Sequence, residues 1–334
     1  MINHNYTGKK ILIIGGTGTI GRSLVKRLME QEPSVIRIFS RDEHKQYEMS
    51  IEFKEQLHRL RFLIGDIRDQ QRLVRAMEDI DYVFHVAAMK HVPSCEYNPF
   101  EAVQTNVIGT QNVIHAAIHN NVKKVIFTST DKAISPTNTY GASKLMAERL
   151  ITAAQHQTGP KKTKFAAVRF GNVMGSRGSV IPLFKQQIQT QRKITVTCRE
   201  MTRFMMTLKQ ATDLTIKAMD VAQGGETFVL KMPVVRLMDL AHAVIERTSK
   251  SLNIDPNQIR IEDIGLRPGE KMYEELMTEE ESAYALETDD MFIVRNSYLE
   301  YQQQENAWPA DIKSYSSNEV EPIAKEKLNS LLDL

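Results

Sequence analysis

Seven residues near the N-terminus narrow the folds open to this chain more than any other stretch. Gly15-Gly-Thr-Gly-Thr-Ile-Gly21 follows the apolar run Lys10-Ile-Leu-Ile-Ile14 and leads into an amphipathic pattern over residues 21–29. A short apolar run that ends in glycine reads as a buried parallel strand, and the pattern after it as a helix. Gly16, Gly18 and Gly21 satisfy G-x-G-x-x-G, and Gly15 adds the G-x-x-G-x-x-G form. Glycines there permit a tight turn and let backbone amides approach a pyrophosphate, backed by the partial positive charge of a helix N-terminus. A lone match is weak, because glycines also mark plain turns. A strand before it and a helix after it make it a dinucleotide-binding loop, carried by Gly15, Gly16, Thr17, Gly18, Thr19, Ile20 and Gly21.

The pattern then repeats. Strand-like runs occupy residues 35–39, 60–64, 82–85, 124–128 and 165–170, with helical periodicity over 101–119 and 138–155. Strands alternating with helices predict a doubly wound α/β fold on a parallel sheet, with functional loops at the carboxyl ends of the strands. Beyond residue 170 the alternation becomes irregular. Residues 1–170 are therefore expected to form the cofactor-binding Rossmann domain, and 171–334 a smaller, loop-rich substrate-binding region, with some later segments returning to the first domain. The polar tail from about Glu300 is expected to be partly irregular.

Composition excludes several classes. Lys plus Arg numbers 43 against 41 for Asp plus Glu, which gives no electrostatic support for nucleic-acid or membrane-surface binding. No apolar stretch reaches membrane-spanning length, and the polar start speaks against a secretory signal, so a cytoplasmic protein is expected. Cys95 and Cys198 read as free thiols, and no Cys/His spacing suggests a metal. The sixteen methionines read as adaptable core packing.

The second strand ends in Ser40-Arg41, with Lys45 in reach. NAD enzymes usually carry a carboxylate at this tip for the ribose 2′-hydroxyl, whereas a hydroxyl and two cations suit a 2′-phosphate. The expected cofactor is NADP; the competing reading pairs Arg41 and Lys45 with Asp42 or Glu43. After the third strand, Asp66, followed by Ile67, reads equally as an adenine contact or a helix N-cap. After the fourth, Ala87 and Ala88 let the backbone run close to the cofactor. Lys90 either faces cofactor or substrate or is plain surface charge, and Asn106 either braces the strand ends or is a satisfied structural amide.

Tyr140 and Lys144 stand four apart on a predicted helix and so share a face. A free phenol ionises near pH 10; Lys144 and the positive ring of an oxidised nicotinamide would favour the phenolate, letting Tyr140 take a proton from a sugar hydroxyl. Thr130, Asp131 and Lys132 lie just past the fifth strand. Thr130 suits a hydrogen bond to the reacting hydroxyl, Asp131 an acid that keeps its proton, and Lys132 a base with a lowered pKa. Out of context Asp131-Lys132 would be a structural pair; beside Tyr140 and Lys144 it reads as catalytic.

Together these residues resemble the extended short-chain dehydrogenase/reductase family, and within it the bacterial UDP-N-acetylglucosamine 4,6-dehydratases and their capsule-biosynthesis relatives. The resemblance runs from about Lys10 to about Glu280. It is carried by Ser40-Arg-Asp-Glu43, Ala87-Ala-Met-Lys90, Ser129-Thr-Asp-Lys-Ala133, Arg169-Phe-Gly-Asn-Val173, Gly175-Ser-Arg-Gly-Ser-Val-Ile-Pro182, Met201-Thr-Arg-Phe204 and Arg267-Pro-Gly-Glu-Lys271. It implies oxidation at C4 assisted by Tyr140, removal of the C5 proton by Lys132, protonation of the C6 hydroxyl by Asp131, and return of the hydride to C6. NADP would stay bound and be regenerated each turn. It also implies that Lys90, Asn172, Ser179, Val180, Arg203, Arg267 and Glu270 hold UDP-N-acetylglucosamine, and that the chain is a homo-oligomer.

Related deoxyhexose dehydratases typically carry Asp-Glu at Asp131-Lys132, which moves the expected substrate away from dTDP-glucose. Thr19-Ile20 and Met89-Lys-His91 depart from the Ser-Phe and Leu-Lys-Gln usual in inverting flagellin-sugar enzymes, so retention or inversion at C5 stays open. A nucleotide-sugar 4-epimerase or reductase is the alternative. An epimerase has no use for the Asp131-Lys132 pair. A non-catalytic cofactor-sensing regulator is a second alternative, though such proteins often lose the Tyr or Lys present here.

Overall fold

The computed structural model describes residues 5–176 and 178–332; the first residues of the polar start and Arg177 of the Gly175–Pro182 motif fall outside them. The first six runs form strands β1 (Lys10–Ile14), β2 (Val35–Ser40), β3 (Leu60–Ile64), β4 (Tyr82–His85), β5 (Lys124–Thr128) and β6 (Lys164–Arg169). They pair in parallel in the order β3-β2-β1-β4-β5-β6, a doubly wound sheet whose strand order reverses between β1 and β4. Thr227–Leu230 extends it in parallel beyond β6, and Met291–Val294, Ala285–Glu287 and Trp308–Pro309 complete the ten strands in antiparallel fashion.

Side chains alternate across the sheet and build one core on each face. Ile11, Ile13, Ile36, Ile38 and Phe84 meet Leu24, Val25 and Leu28 of the Thr19–Met29 helix and Ala218 and Met219 of Leu208–Val221. Leu12, Ile14, Phe39, Val83 and Phe127 meet Leu73, Val113, Ala117, Ala147 and Ile151 from the helices of the other face. A third cluster lies in the second half, where Met174, Phe184, Ile188, Met201 and Met205 pack with Leu240 and Val244 of the Leu237–Leu252 helix. Met49, Met77, Met206 and Met219 are also buried, in keeping with methionine as filler.

Three sequence expectations change in detail. The helix expected over 101–119 starts earlier, at Pro99, and is interrupted by a π-helical turn at Val103–Ile108 before Gly109–His119 continues. Such turns are frequent at functional sites; here Thr105 and Asn106 are its buried residues. The helix expected over 138–155 runs Thr139–Ala153, with Asn138 as its N-cap: its Oδ1 accepts from the Gly141 N–H at 2.9 Å. The tail is better organised than its polarity suggests. Tyr315–Ser316 pairs with Glu275–Met277, Tyr315 packs on Phe204 and Phe292, and Leu328 of the Lys325–Leu332 helix is buried. Aromatic anchors, not overall hydrophobicity, hold this segment down.

Arg169, fully buried at the end of β6, joins the two halves. Its guanidinium donates to Glu148 (2.5 Å), Glu281 (2.8 Å) and the Leu276 carbonyl (2.8 Å). A buried cation needs this many partners to offset its desolvation. The cluster ties the Thr139–Ala153 helix to the segment that carries Glu274.

Candidate active site

The glycine loop follows β1 at the switch point. Gly15 adopts φ +85°, and a Cβ there would lie 2.8 Å from the Ala87 backbone. A Cβ on Gly21 would lie 2.5 Å from the Gly15 carbonyl oxygen. Loop, helix and the Ala87 segment can approach this closely only with hydrogen at both positions. The Thr19–Met29 helix has Gly18 as its N-cap, no side-chain cap and no acid in its first turn, so its positive end is left for an anion. The cradle fits a dinucleotide pyrophosphate.

At the tip of β2 the Gln46 amide donates to the Ser40 hydroxyl (3.0 Å), the Ser40 carbonyl (3.1 Å) and the Leu63 carbonyl (3.0 Å), clamping β2 to β3. Arg41 is exposed, with its guanidinium 3.6 Å from Asp66. Lys45 is ion-paired with Asp42, the N-cap of the Glu43–Glu52 helix. Asp66 caps no helix: Asp69 caps Gln70–Ala76, while Asp66 accepts from the Arg68 backbone (2.9 Å) and guanidinium (2.8 Å). The Ile67 side chain is buried in the core against Gly109. Ala87 is half-buried, and Ala88 and Lys90 are exposed. Asn106 is a brace: it exchanges hydrogen bonds with the Met89 N–H (2.8 Å) and carbonyl (3.0 Å) and donates to Ser143 (2.9 Å).

The reaction centre lies past β5. Thr130, Asp131 and Tyr140 are buried there, and Lys132 is partly so. The Thr130 hydroxyl donates to Asp131 Oδ1 at 2.7 Å and is hydrogen-bonded to the Tyr140 phenol. Lys132 Nζ lies 3.2 Å from Asp131 and 2.8 Å from Glu274, a residue the sequence reading passed over. Glu274 is buried and gathers the site: it also accepts from Asn172 Nδ2 (3.0 Å), faces Arg203 Nε at 3.3 Å, and shares a hydrogen bond with Asp131. Its own N–H donates to Ser317 Oγ in the tail (3.0 Å). Local pattern does not mark it: Glu274 precedes the short Glu275–Met277 strand, where Leu276 and Met277 are both buried, so alternation does not single it out.

The electrostatics differ from the sequence expectation at Lys132, Tyr140 and Asp131. Burial alone would lower Lys132, but the Asp131 charge and the adjoining Glu274 carboxyl hold it above the usual lysine range, so the resting amine is a cation. Burial pushes the Tyr140 phenol up to about 12, and the charge of Lys132 and the Thr130 hydrogen bond offset this only in part. Lys144 does not supply the counter-charge. Its Nζ donates to the Thr128 carbonyl (2.6 Å) and sits over the Phe127 ring, and burial lowers it to about 7. Burial would also raise Asp131, but the Lys132 charge and the hydrogen bonds from Glu274, Thr130 and Lys132 hold it down at about 2. Glu274 goes the other way, to about 7, raised by burial and by the Asp131 charge.

Substrate candidates divide into two sets. Arg203 is committed within the protein, donating to the Lys271 carbonyl (2.8 Å) and flanking Glu270 and Glu274. Asn172 is likewise engaged with Glu274, and Glu270 Oε1 accepts from Thr197 (3.3 Å). These three shape the site's wall rather than face outward. Arg267, by contrast, is exposed. Ser179 is the N-cap of the Val180–Gln191 helix but makes no cap bond, and its buried hydroxyl has no hydrogen-bond partner among the described residues. The Arg267–Lys271 loop is fastened beside the reaction centre, where Thr137 and Asn138 donate to the Gly269 carbonyl at 2.8 and 3.1 Å.

Comparison with known proteins agrees with this arrangement. The model of the polysaccharide biosynthesis protein family matches residues 11–296. The X-ray structure of Pen from Bacillus thuringiensis is similar with a TM-score of 0.92 at 57% identity, over 98% of each chain. The UDP-N-acetylglucosamine 4,6-dehydratase (inverting) of Campylobacter jejuni subsp. jejuni serotype O:23/36 is 43% identical over 87% of this chain and 84% of its own. The UDP-glucose 4-epimerase of Rickettsia massiliae is 39% identical over 98% and 96%. Among the described residues no helix is long and apolar enough to cross a membrane. A glycine cradle at the switch point, a Thr-Asp-Lys run beside Tyr140, and a match over most of its length place this chain in the polysaccharide biosynthesis protein family, among the nucleotide-sugar dehydratases and epimerases of the extended short-chain dehydrogenase/reductase type.

Proposed function

We propose that the chain is an NADP-dependent UDP-N-acetylglucosamine 4,6-dehydratase of the cytoplasm, forming a UDP-4-keto-6-deoxy-N-acetylhexosamine. The observation that carries the reading is the Asp131-Lys132 pair, joined to Tyr140 through Thr130. A 4-epimerase, the activity named for the Rickettsia relative, needs Tyr140 and Thr130 but no second acid and amine. A nicotinamide dinucleotide held by the Gly15–Gly21 loop would supply the hydride acceptor for C4 and the hydride donor for C6. Tyr140 receives the C4 hydroxyl proton with Thr130 orienting that hydroxyl. The resulting ketone acidifies the C5 proton, which Lys132 Nζ removes while Asp131 protonates the departing C6 hydroxyl. The open N-terminus of the Val180–Gln191 helix, with Ser179, and the exposed Arg267 suit the UDP diphosphate.

The test is incubation with UDP-N-acetylglucosamine in deuterated water, followed by NMR. The expected product has a C6 methyl, a C4 ketone and deuterium at C5; in product made in ordinary water, an H3–H5 Overhauser contact across the ring reports the C5 configuration. A C4 epimer with an intact hydroxymethyl and no deuterium would establish the epimerase instead.

NADP is supported by the absence of a carboxylate at Ser40-Arg41 and by the exposed Arg41 guanidinium. Arg41→Ala is expected to weaken NADP binding by about 10- to 100-fold, the worth of one charge-assisted hydrogen bond, and to leave NAD binding nearly unchanged. Fluorescence titration of both cofactors checks this; equal losses would reject the 2′-phosphate contact.

A further inference from the structure

The dehydratase reading leaves a proton unplaced. Elimination requires a free amine on Lys132 and a carboxylic acid on Asp131, yet at rest the two form an ion pair. One proton must pass from Nζ to the carboxylate 3.2 Å away. Burial favours that exchange, because a neutral pair costs less to desolvate than an ion pair. A second anion on the far side of Lys132 opposes it, and Glu274 Oε1 stands at 2.8 Å.

We propose, on the basis of that reading, that Glu274 serves as a carboxylic acid, a positioning residue whose retained proton leaves Asp131 as the only anion against Lys132 and so permits the amine and the acid to exchange a proton. The placement sets two buried carboxyls on one amine: Lys132 Nζ lies 3.2 Å from Asp131 and 2.8 Å from Glu274, so ionisation of both would hold the amine charged. Arg203 flanks the same Glu274 oxygen at 3.3 Å, and Asn172 donates to the other at 3.0 Å. Charges balance in this state: Asp131 against Lys132, and Glu270 against Arg203 at 3.9 Å. Lys271 also faces the cluster, with its Nζ held by the Ile134 carbonyl at 2.9 Å, and Glu275 follows on the same strand. The Tyr140 phenol lies on the Lys132 side, and Asn172 and Ser317 are neutral neighbours. Protons balance over the elimination. Lys132 gains the C5 proton, Asp131 loses its own to the departing hydroxyl as water, and the ion pair seen at rest returns. Glu274 ends as it began.

The active form of Glu274 is the protonated one, so activity is full below its ionisation near pH 7 and falls as pH rises through it. Glu274→Gln copies the neutral acid. It is expected to retain dehydration within about tenfold at neutral pH and to displace the alkaline fall in kcat upward by at least a pH unit. Infrared spectroscopy of the wild type without substrate gives a second readout: a buried carboxylic-acid band that fades around pH 7 and is missing from Glu274→Gln. The proposal is overturned if the variant keeps the wild-type alkaline limb. It is also overturned if the folded variant oxidises C4 but no longer dehydrates. If Glu274→Gln does not fold, wild type lacking the infrared band overturns it alone. Wild type that yields no C5-deuterated methyl product at any pH removes the dehydratase reading itself, whereas a wild type that dehydrates with a variant failing as above removes only the role of Glu274.

Discussion

Lys132→Ala is expected to lower dehydration by about a thousandfold, the usual worth of a positioned acid–base group, while C4 oxidation persists as reduced-nicotinamide absorbance in a single turnover. The reason is local. Lys132 Nζ lies within 3.3 Å of both Asp131 oxygens, and Lys271 Nζ, which also faces the cluster, is held by the Ile134 carbonyl at 2.9 Å. Removing the cation leaves two buried carboxyls, Asp131 and Glu274, without the amine between them, and such a pair keeps one proton to higher pH. Arg203 still flanks Glu274 at 3.3 Å, so the site retains a cation and the fold is expected to survive, as thermal unfolding and cofactor titration would verify. Lys132→Arg sharpens the test. It keeps the positive charge, cannot give up its proton, and should be as inactive as the alanine variant. Turnover within a few-fold of wild type in either variant would rule out Lys132 as the base.

Tyr140→Phe is expected to cost about 100- to 1000-fold and to suppress the reduced-nicotinamide signal as well, because its step comes first. The phenol needs help that the free protein does not give it. Burial holds it at about 12, and Lys144 is turned to Thr128 and Phe127. The positive ring of an oxidised nicotinamide is the charge that would favour the phenolate. Ultraviolet titration should therefore show tyrosinate forming at lower pH once oxidised cofactor is added, and Tyr140→Phe should lack that component. A phenolate onset indifferent to cofactor, or near-normal turnover in the variant, would reject the assignment of Tyr140 to C4.

Both experiments rest on residues legible in the one-dimensional chain, but the chemistry assigned to them changed once they were seen together. The Tyr-x-x-x-Lys spacing places Tyr140 and Lys144 on one helix, and the helix is there. What spacing cannot convey is that Lys144 is lowered by burial while Lys132 is raised by its neighbours. A pKa depends on desolvation and on charges that arrive from elsewhere in the chain. Arg203 and Asn172 show the same limit. Their residue types suit a diphosphate and a sugar, yet both turn onto Glu274.

Periodicity and glycine placement by themselves determined the six first strands, the doubly wound sheet and the phosphate loop, because a buried strand, an amphipathic helix and a tight turn each leave a mark within a few neighbouring residues. Only the tertiary structure decided that Glu274, 142 positions from Lys132, meets the Asp131-Lys132 pair, that Asn106 of a π-helical turn braces Met89, and that the tail reaches the site through Ser317. These are contacts between distant segments, settled by how sheet, helices and tail pack, and packing partners leave no mark in local pattern.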